Sequence, residues 1–384
     1  MPPLLFPSRS AGRAVASDIA LLCVALLMCE IVLRVLAPQP VHRLLRDVYQ
    51  VRDLGFRYRP GAKTVCNNGF GDHEFSVNRW QARDREYGPK QPAEWRLLFV
   101  GDSFSENQAL EVGEIYPNVL EANLASSHPT STYSIVNAGM AGWDLWVYRA
   151  YLEEMLPQIQ PDVVVIAMGA ATDMVRDYQS PPRQKFVLWA GLPIPAKASL
   201  LSRTAWAAWF WNEMLEEHAH SYVFLRRLFY YPGLWMGLTK APTFSPLVTD
   251  PSLAEAVSAP TRTLLHSFKT LCEGAGARFA ILNVPRIYEV DREVAHLKIE
   301  MERRDPIAFD LRRPARLLRE ITTSLDIPMF DPAALLAEST EPTYFPEFEH
   351  WNASGNRIVA AMLQRSLHEA GLLEPGAPPT VSLR

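Results

Sequence analysis

The chain has 384 residues, 48% of them apolar and 21% charged, and a net charge of −4. This length and apolar content suit one large α/β domain with additions, or two domains. The acidic balance speaks against a nucleic-acid binder, and no Cys/His spacing points to zinc.

Residues 1–18 read as an N-terminal tail. Ile19 to Ala37 is a candidate membrane helix: at about 1.5 Å per residue it just crosses a hydrocarbon core of about 30 Å. Glu30 and Arg34 lie four residues apart and can pair on one face, and Arg34 can snorkel to the interface. Pro38 and Pro40 follow where a small-residue cleavage site would stand, so an uncleaved signal anchor is expected over a removed signal peptide. The alternative is a buried or interfacial helix. Arg9 and Arg13 precede the segment while Arg34, Arg43, Arg46 and Arg52 follow it, so charge does not orient it for export. Cys23 and Cys29 fall inside it. Cys66 and Cys272 can pair if the body is exported.

Residues 38–95 carry charge, glycine and aromatics with little periodicity. They are expected to form a linker and edge segment, with Phe75-Ser-Val-Asn78 and Ala82-Arg-Asp-Arg85 as short strands and turns. A buried strand then runs from Leu97 to Val100. Gly101-Asp102 turns the chain, Ser103 follows, and helical character starts near Glu106. A serine at the carboxyl end of a buried strand sits where open α/β sheets place ligands, with backbone amides aimed at whatever binds. Ser103 is therefore a candidate nucleophile, the alternative being a helix-capping serine.

Helical spacing of Ile115, Val119, Leu120 and Leu124 predicts a helix over 112–124. A strand from Tyr133 to Val136 ends in Asn137-Ala-Gly139-Met-Ala-Gly142, whose glycines permit tight turns and close backbone approach. A helix from Leu145 to Leu156 is expected to stop at Pro157 and Pro161. A third strand, Asp162 to Met168, is apolar throughout, as a parallel sheet covered on both faces requires. It leads into Gly169-Ala-Ala-Thr172-Asp173.

Residues 178–250 break the alternation. They hold Trp189, Trp206, Trp209, Trp211, Phe224, Phe229, Tyr230, Tyr231 and Trp235, and read as a helical insertion. Its aromatics either fill the core of a small subdomain or face sugars or lipid headgroups. Alternation resumes with a helix over 253–273, a strand from Arg278 to Val284, a helix over 314–325 and a strand from Ile327 to Asp331. Phe345-Pro-Glu-Phe-Glu-His350-Trp-Asn352-Ala-Ser-Gly355 precedes a terminal helix over 356–367, and 371–384 is a tail. Five strands alternating with helices predict an open, doubly wound parallel sheet of flavodoxin-like type over 96–370.

The Gly101-Asp102-Ser103 turn, the glycines after the second strand, the Gly169 block and His350-Trp-Asn-x-x-Gly355 occur in an order that resembles the SGNH (GDSL-type) hydrolases. The Phe-x-x-Asn…Arg-Asp stretch before the first strand is similar to that of their membrane-anchored members. The resemblance implies an esterase or acyl-transfer fold with Ser103 as nucleophile and His350 as base. It places the Ser103 and Gly139 amides and the Thr172 side chain in the oxyanion hole, with Asp102 and Asp173 in support. Thr172 stands where the family has asparagine. The aspartate expected two or three residues before His350 is missing, and Glu347 is the residue that can replace it. No metal or organic cofactor is implied. The resemblance puts the body outside the cytoplasm, acting on O-acyl, chiefly O-acetyl, groups of a carbohydrate or lipid. The alternatives are an O-acetyltransferase for a surface polysaccharide, or an impaired domain that binds glycan or a membrane partner.

Overall fold

A computed structural model describes residues 9–39, 42–43, 45, 47–68, 72–179, 186–189, 192–195, 214–216, 218–225, 228, 244–302, 309–345 and 349–373. The chain divides into two units: Met1–Leu44, Asn67–Gly71 and Ala198–Lys240 form the first, and the remainder the second.

The first unit contains helix α1, Arg9–Leu36. Its stretch Ser17–Leu36 has a mean hydropathy of 2.6 and none of it is buried. By length and composition it can cross a membrane. Glu30 and Arg34 pair at 2.6 Å, as their spacing predicts. Cys23 and Cys29 are exposed on this helix, each with a free thiol.

The second unit is built on five parallel strands: β1 (Glu94–Gly101), β2 (Thr132–Gly139), β3 (Val163–Met168), β4 (Arg278–Asn283) and β5 (Met329–Phe330). Their spatial order is β5-β4-β3-β1-β2, the flavodoxin-like arrangement. β1 pairs with β2 from Glu94↔Thr132 to Gly101↔Gly139, and with β3 from Leu97↔Val163 to Val100↔Ile166. The chain leaves β1 for one edge and returns beside it as β3, so the carboxyl end of β1 is the topological switch point.

Successive residues of each strand enter different cores, because side chains alternate across a sheet. Leu98, Val100, Val164, Ile166 and Ile281 join one cluster; Leu97, Phe99, Val165, Ala280 and Leu282 join the other. The first core is covered by helices α4 (Leu145–Ile159), α6 (Pro251–Gly274) and α7 (Arg313–Ser324), the second by α3 (Tyr116–Ser127) and α8 (Ala353–Glu369). The short α2 (Ser103–Glu106) precedes α3, and α5 (Asp173–Gln179) lies between α4 and α6 in sequence.

Several expectations need correction. Residues 47–66 and 72–87 do more than link: Tyr58, Phe75, Trp80 and Tyr87 are buried in the first core. Short antiparallel ribbons, Tyr49–Val51 with Phe56–Tyr58 and Lys63–Cys66 with His73–Ser76, carry Tyr58 and Phe75; Trp80 and Tyr87 follow in irregular chain. The helix expected over 112–124 is a 3-10 turn, Val112–Glu114, followed by α3, because Pro117 opens a new first turn. Pro157 lies inside the last turn of α4, which continues to Ile159; it forfeits a ladder bond and crowds the preceding turn, and burial of Met155, Leu156 and Ile159 offsets that cost. Within the insertion, Phe186–Trp189 and Leu192–Pro195 form a hairpin where helix was expected. Trp206, Trp209, Trp211, Phe229, Tyr230, Tyr231 and Trp235 lie outside the described residues. Cys66 and Cys272 are buried and unpaired with one another; burial pushes their thiols up to about 11 and about 12.

Candidate active site

β1 delivers the chain to a close-packed turn: a Cβ on Gly101 would stand 2.2 Å from Ser105 Oγ. Asp102 caps the single-turn α2, its carboxylate accepting from the Phe104 amide at 2.9 Å. Ser103 is the first helical residue and is half-buried. The turn closes at Asn107, whose left-handed backbone (φ 39°) sends its amide to the Ser103 carbonyl.

His350 arrives from the far end of the sequence. Its Nε2 lies 2.7 Å from Ser103 Oγ. The ring stacks on Phe104, centroids 4.4 Å apart, which sets its plane. Trp351, fully buried, packs edge-on against Phe104. The Trp351 carbonyl accepts from Asn107 Nδ2 at 2.7 Å and from Asn356 Nδ2 at 3.0 Å, tying the histidine loop to the nucleophile turn. Asn352 caps α8 through the Gly355 amide, and a Cβ on Gly355 would meet the Thr343 carbonyl at 2.2 Å. Each residue of the Trp-Asn-x-x-Gly motif thus has a positional reason.

Glu347 lies outside the described residues. Its neighbour Glu349 has a left-handed backbone, φ 24°, a strained choice for a non-glycine residue. Its carboxylate is held by Arg286 and by Lys298, each at 2.6 Å. Burial raises its pKa, but the hydrogen bond from Lys298 and the two positive charges outweigh burial, and the carboxyl ends below the usual glutamate range.

The amide expected to serve as oxyanion donor, that of Gly139, is committed elsewhere: it donates to Asn137 Oδ1 at 3.1 Å. What Gly139 provides is closeness, since a Cβ there would stand 2.5 Å from the Ser105 and Glu106 backbone. The chain then runs along the nucleophile turn, with the Met140 amide on the Gly101 carbonyl at 3.0 Å and the Ala141 amide on Glu106 Oε2. It reaches Gly142, exposed and left-handed at φ 79°. Among the described residues nothing accepts from the Gly142 amide.

Thr172 is half-buried, and its hydroxyl makes a long contact of 3.4 Å with the Gly169 carbonyl. Asp173 is fully buried; it accepts from the Gly169 amide at 2.8 Å and pairs with Arg176 at 2.6 Å. Burial pushes its pKa up to about 7. Arg176 also donates to the Trp143 carbonyl at 2.6 Å, joining the loops after β2 and β3. Asp173 is a scaffold residue of these loops.

The sequence reading missed a buried set that holds the serine turn from behind. Arg83, 1% exposed, donates to the carbonyls of Glu106, Asn107 and Leu110 at 2.8 to 2.9 Å. Glu106, equally buried, accepts from Tyr58 Oη and Gln108 Nε2; burial raises its pKa. Asp84 accepts from the Asn137 amide at 2.8 Å and Tyr87 Oη at 2.7 Å, and burial pushes it up to about 6. Asn137 Nδ2 in turn donates to the Ser105 carbonyl. The Arg-Asp pair at 83–84 was the available signal.

No protein-family model matches the chain, and no curated protein matches it. Solved structures similar to it include TesA, 13% identical with a TM-score of 0.38, over 71% of this chain and 98% of TesA. Axe2, an acetylxylan esterase from Geobacillus stearothermophilus, is 15% identical with a TM-score of 0.39, over 71% and 94% of the two chains. The psychrotrophic esterase EstA from Pseudoalteromonas sp. is 12% identical with a TM-score of 0.38, over 71% and 97%. At such scores it is the strand order of the sheet itself that gives the fold class.

Proposed function

We propose that this chain is an SGNH-type serine esterase that releases an acyl group, acetyl in the first instance, from a carbohydrate or lipid. One observation carries the reading: a histidine nitrogen 2.7 Å from a serine hydroxyl at the switch point of a doubly wound sheet. That is a general base within reach of a nucleophile. Ser103 Oγ attacks the ester carbonyl while His350 Nε2 takes its proton, and His350 then returns the proton to the leaving alcohol. Water repeats the sequence on the acyl-enzyme, releasing the acid and restoring Ser103. We assign the oxyanion to the amides of Ser103 and Gly142, and the orientation of His350 to Glu347. Glu349, spent on Arg286 and Lys298, is not assigned to the imidazole.

The membrane reading is supported by the exposed apolar span Ser17–Leu36. Placement of the body outside the cytoplasm rests on the resemblance to anchored SGNH proteins, and protease access in intact cells tests it. For activity, the purified full chain in detergent is assayed on a short-chain aryl ester beside Ser103→Ala. Hydrolysis is expected in the first and not in the second; equal rates would sink the esterase. Acyl transferred to an added oligosaccharide, in place of free acid, would move the assignment to a transferase using the same serine.

A further inference from the structure

Glu30 is out of place on α1. A carboxylate within an apolar span is costly unless its charge and lone pairs are satisfied, yet here none of the span around it is buried. The insertion supplies the partners. Glu30 Oε1 accepts from the His220 amide at 3.0 Å, and Oε2 accepts from the Ser221 amide and hydroxyl, both at 2.7 Å. Arg34, paired with Glu30, donates to the His218 carbonyl. The Gln39 amide donates to His220 Nδ1 at 2.8 Å. One end of the helical residues 220–225 is thereby fastened to α1.

Among the described residues from 223 on, apolar side chains lie outside as well as inside. Val223 is buried at 7%, whereas Phe224, Leu225 and Leu228 are 39%, 42% and 55% exposed. Positions 224, 225 and 228 share one helix face. On α1, next to Glu30, Ile31, Val32, Val35 and Leu36 are exposed too. A helix in water keeps a polar outer face; one without it sits in a core or in lipid. Glu30 lies six residues before the end of α1, so about 9 Å along the axis from it. Interfacial helices bury their apolar face about 5–10 Å into the headgroup boundary. In sequence Arg226-Arg227 stand between Leu225 and Leu228, and Phe229-Tyr-Tyr231 follow, the residue types that favour that boundary.

We propose that residues 220–225 together with Leu228 form a second membrane-contacting element, fastened to α1 by Glu30, which lays Phe224, Leu225 and Leu228 against the lipid of a bilayer. The proposal rests on the reading of α1 as a membrane anchor. It gives the insertion a task at the membrane surface and explains why the ion pair is kept within an otherwise apolar helix.

The full chain, with Cys23→Ala and Cys29→Ala, is labelled with an environment-sensitive fluorophore at one of four cysteines: Leu27→Cys, Leu225→Cys, Leu228→Cys or Leu335→Cys. Each is placed in phosphatidylcholine–phosphatidylglycerol nanodiscs with and without brominated acyl chains. Labels at 27, 225 and 228 should be blue-shifted and quenched, and the label at 335, an exposed position of the second unit, should not. Quenching at 27 with 225 and 228 behaving like 335 would overturn the proposal and leave the anchor standing. No quenching at 27 would remove the anchor and the proposal together. Glu30→Ala should leave quenching at 27 intact and reduce it at 225 by about twofold or more, since an interfacial segment without its tie binds on its apolar face alone. Unchanged quenching at 225 would overturn Glu30 as the fastening.

Discussion

The nucleophile turn and the histidine loop meet at one hydrogen bond, but they are held by different physics. The turn carrying Ser103 is enclosed: Arg83, Glu106, Asp84 and Asn137 are all at least 96% buried and bond its backbone directly or through one another. The loop carrying His350 leans partly on a half-buried carboxylate, Glu349, gripped by two cations. Their acid responses have opposite signs. Asp84 has its pKa raised to about 6, so the native state prefers the proton and acidification favours the serine side. Glu349 is held below its ordinary value. Its contribution is complete above that ordinary value, about 4.3, and is lost as pH falls through the lowered one. Acid should therefore loosen the histidine half first.

This contrast can be broken in steps. The largest loss belongs to the reacting atoms themselves: Ser103→Ala should lower kcat on an aryl ester by about 10⁴-fold or more with folding unchanged by circular dichroism. Arg83→Met comes next. It leaves three buried carbonyls without their charged donor, costing about 3 kcal/mol in urea unfolding. Displacement of the turn should lower kcat by about 10²-fold; activity kept at that stability loss would show that the turn holds without Arg83.

Glu349→Ala should act more gently, with kcat down about tenfold and stability down about 1–2 kcal/mol, since the grip is only half-buried. The stability gap between this variant and the native chain should hold above the ordinary glutamate value and narrow as pH falls through the lowered one. A gap of constant size would mean that the charge of Glu349 is not what holds the loop. Smallest of all is Thr172→Val, whose hydroxyl makes only the 3.4 Å contact to Gly169. It should change kcat by less than about tenfold. A fall of about 10²–10³ would return Thr172 to the oxyanion, where loss of a donor costs that much.

The signals that could be read without coordinates were those written into short stretches. Four apolar residues followed by Gly101-Asp102 mark β1 and its turn, and the histidine loop announces itself through Asn352, which caps α8, and Gly355. Gly139 misled because a glycine at a strand end serves equally well to expose an amide or to let another backbone come close. Here the close approach of Ser105 and Glu106 decided it. Residues 47–66 and 72–87 hid their task because irregular ribbons bury side chains without a helical or two-residue period.

By itself the amino-acid sequence determined the sheet and the order of its strands' neighbours in chain, because periodicity, caps and turn glycines act within a few residues of one another; the partnership of Ser103 with His350, 247 positions away, was implied by the family resemblance. The fold alone decided which buried groups brace that meeting: Arg83 under the serine turn, Asp84 under Asn137, Glu349 between two cations. Those contacts join segments far apart in the chain, and whether a charged side chain is solvated or buried against a partner depends on what the folded chain brings beside it.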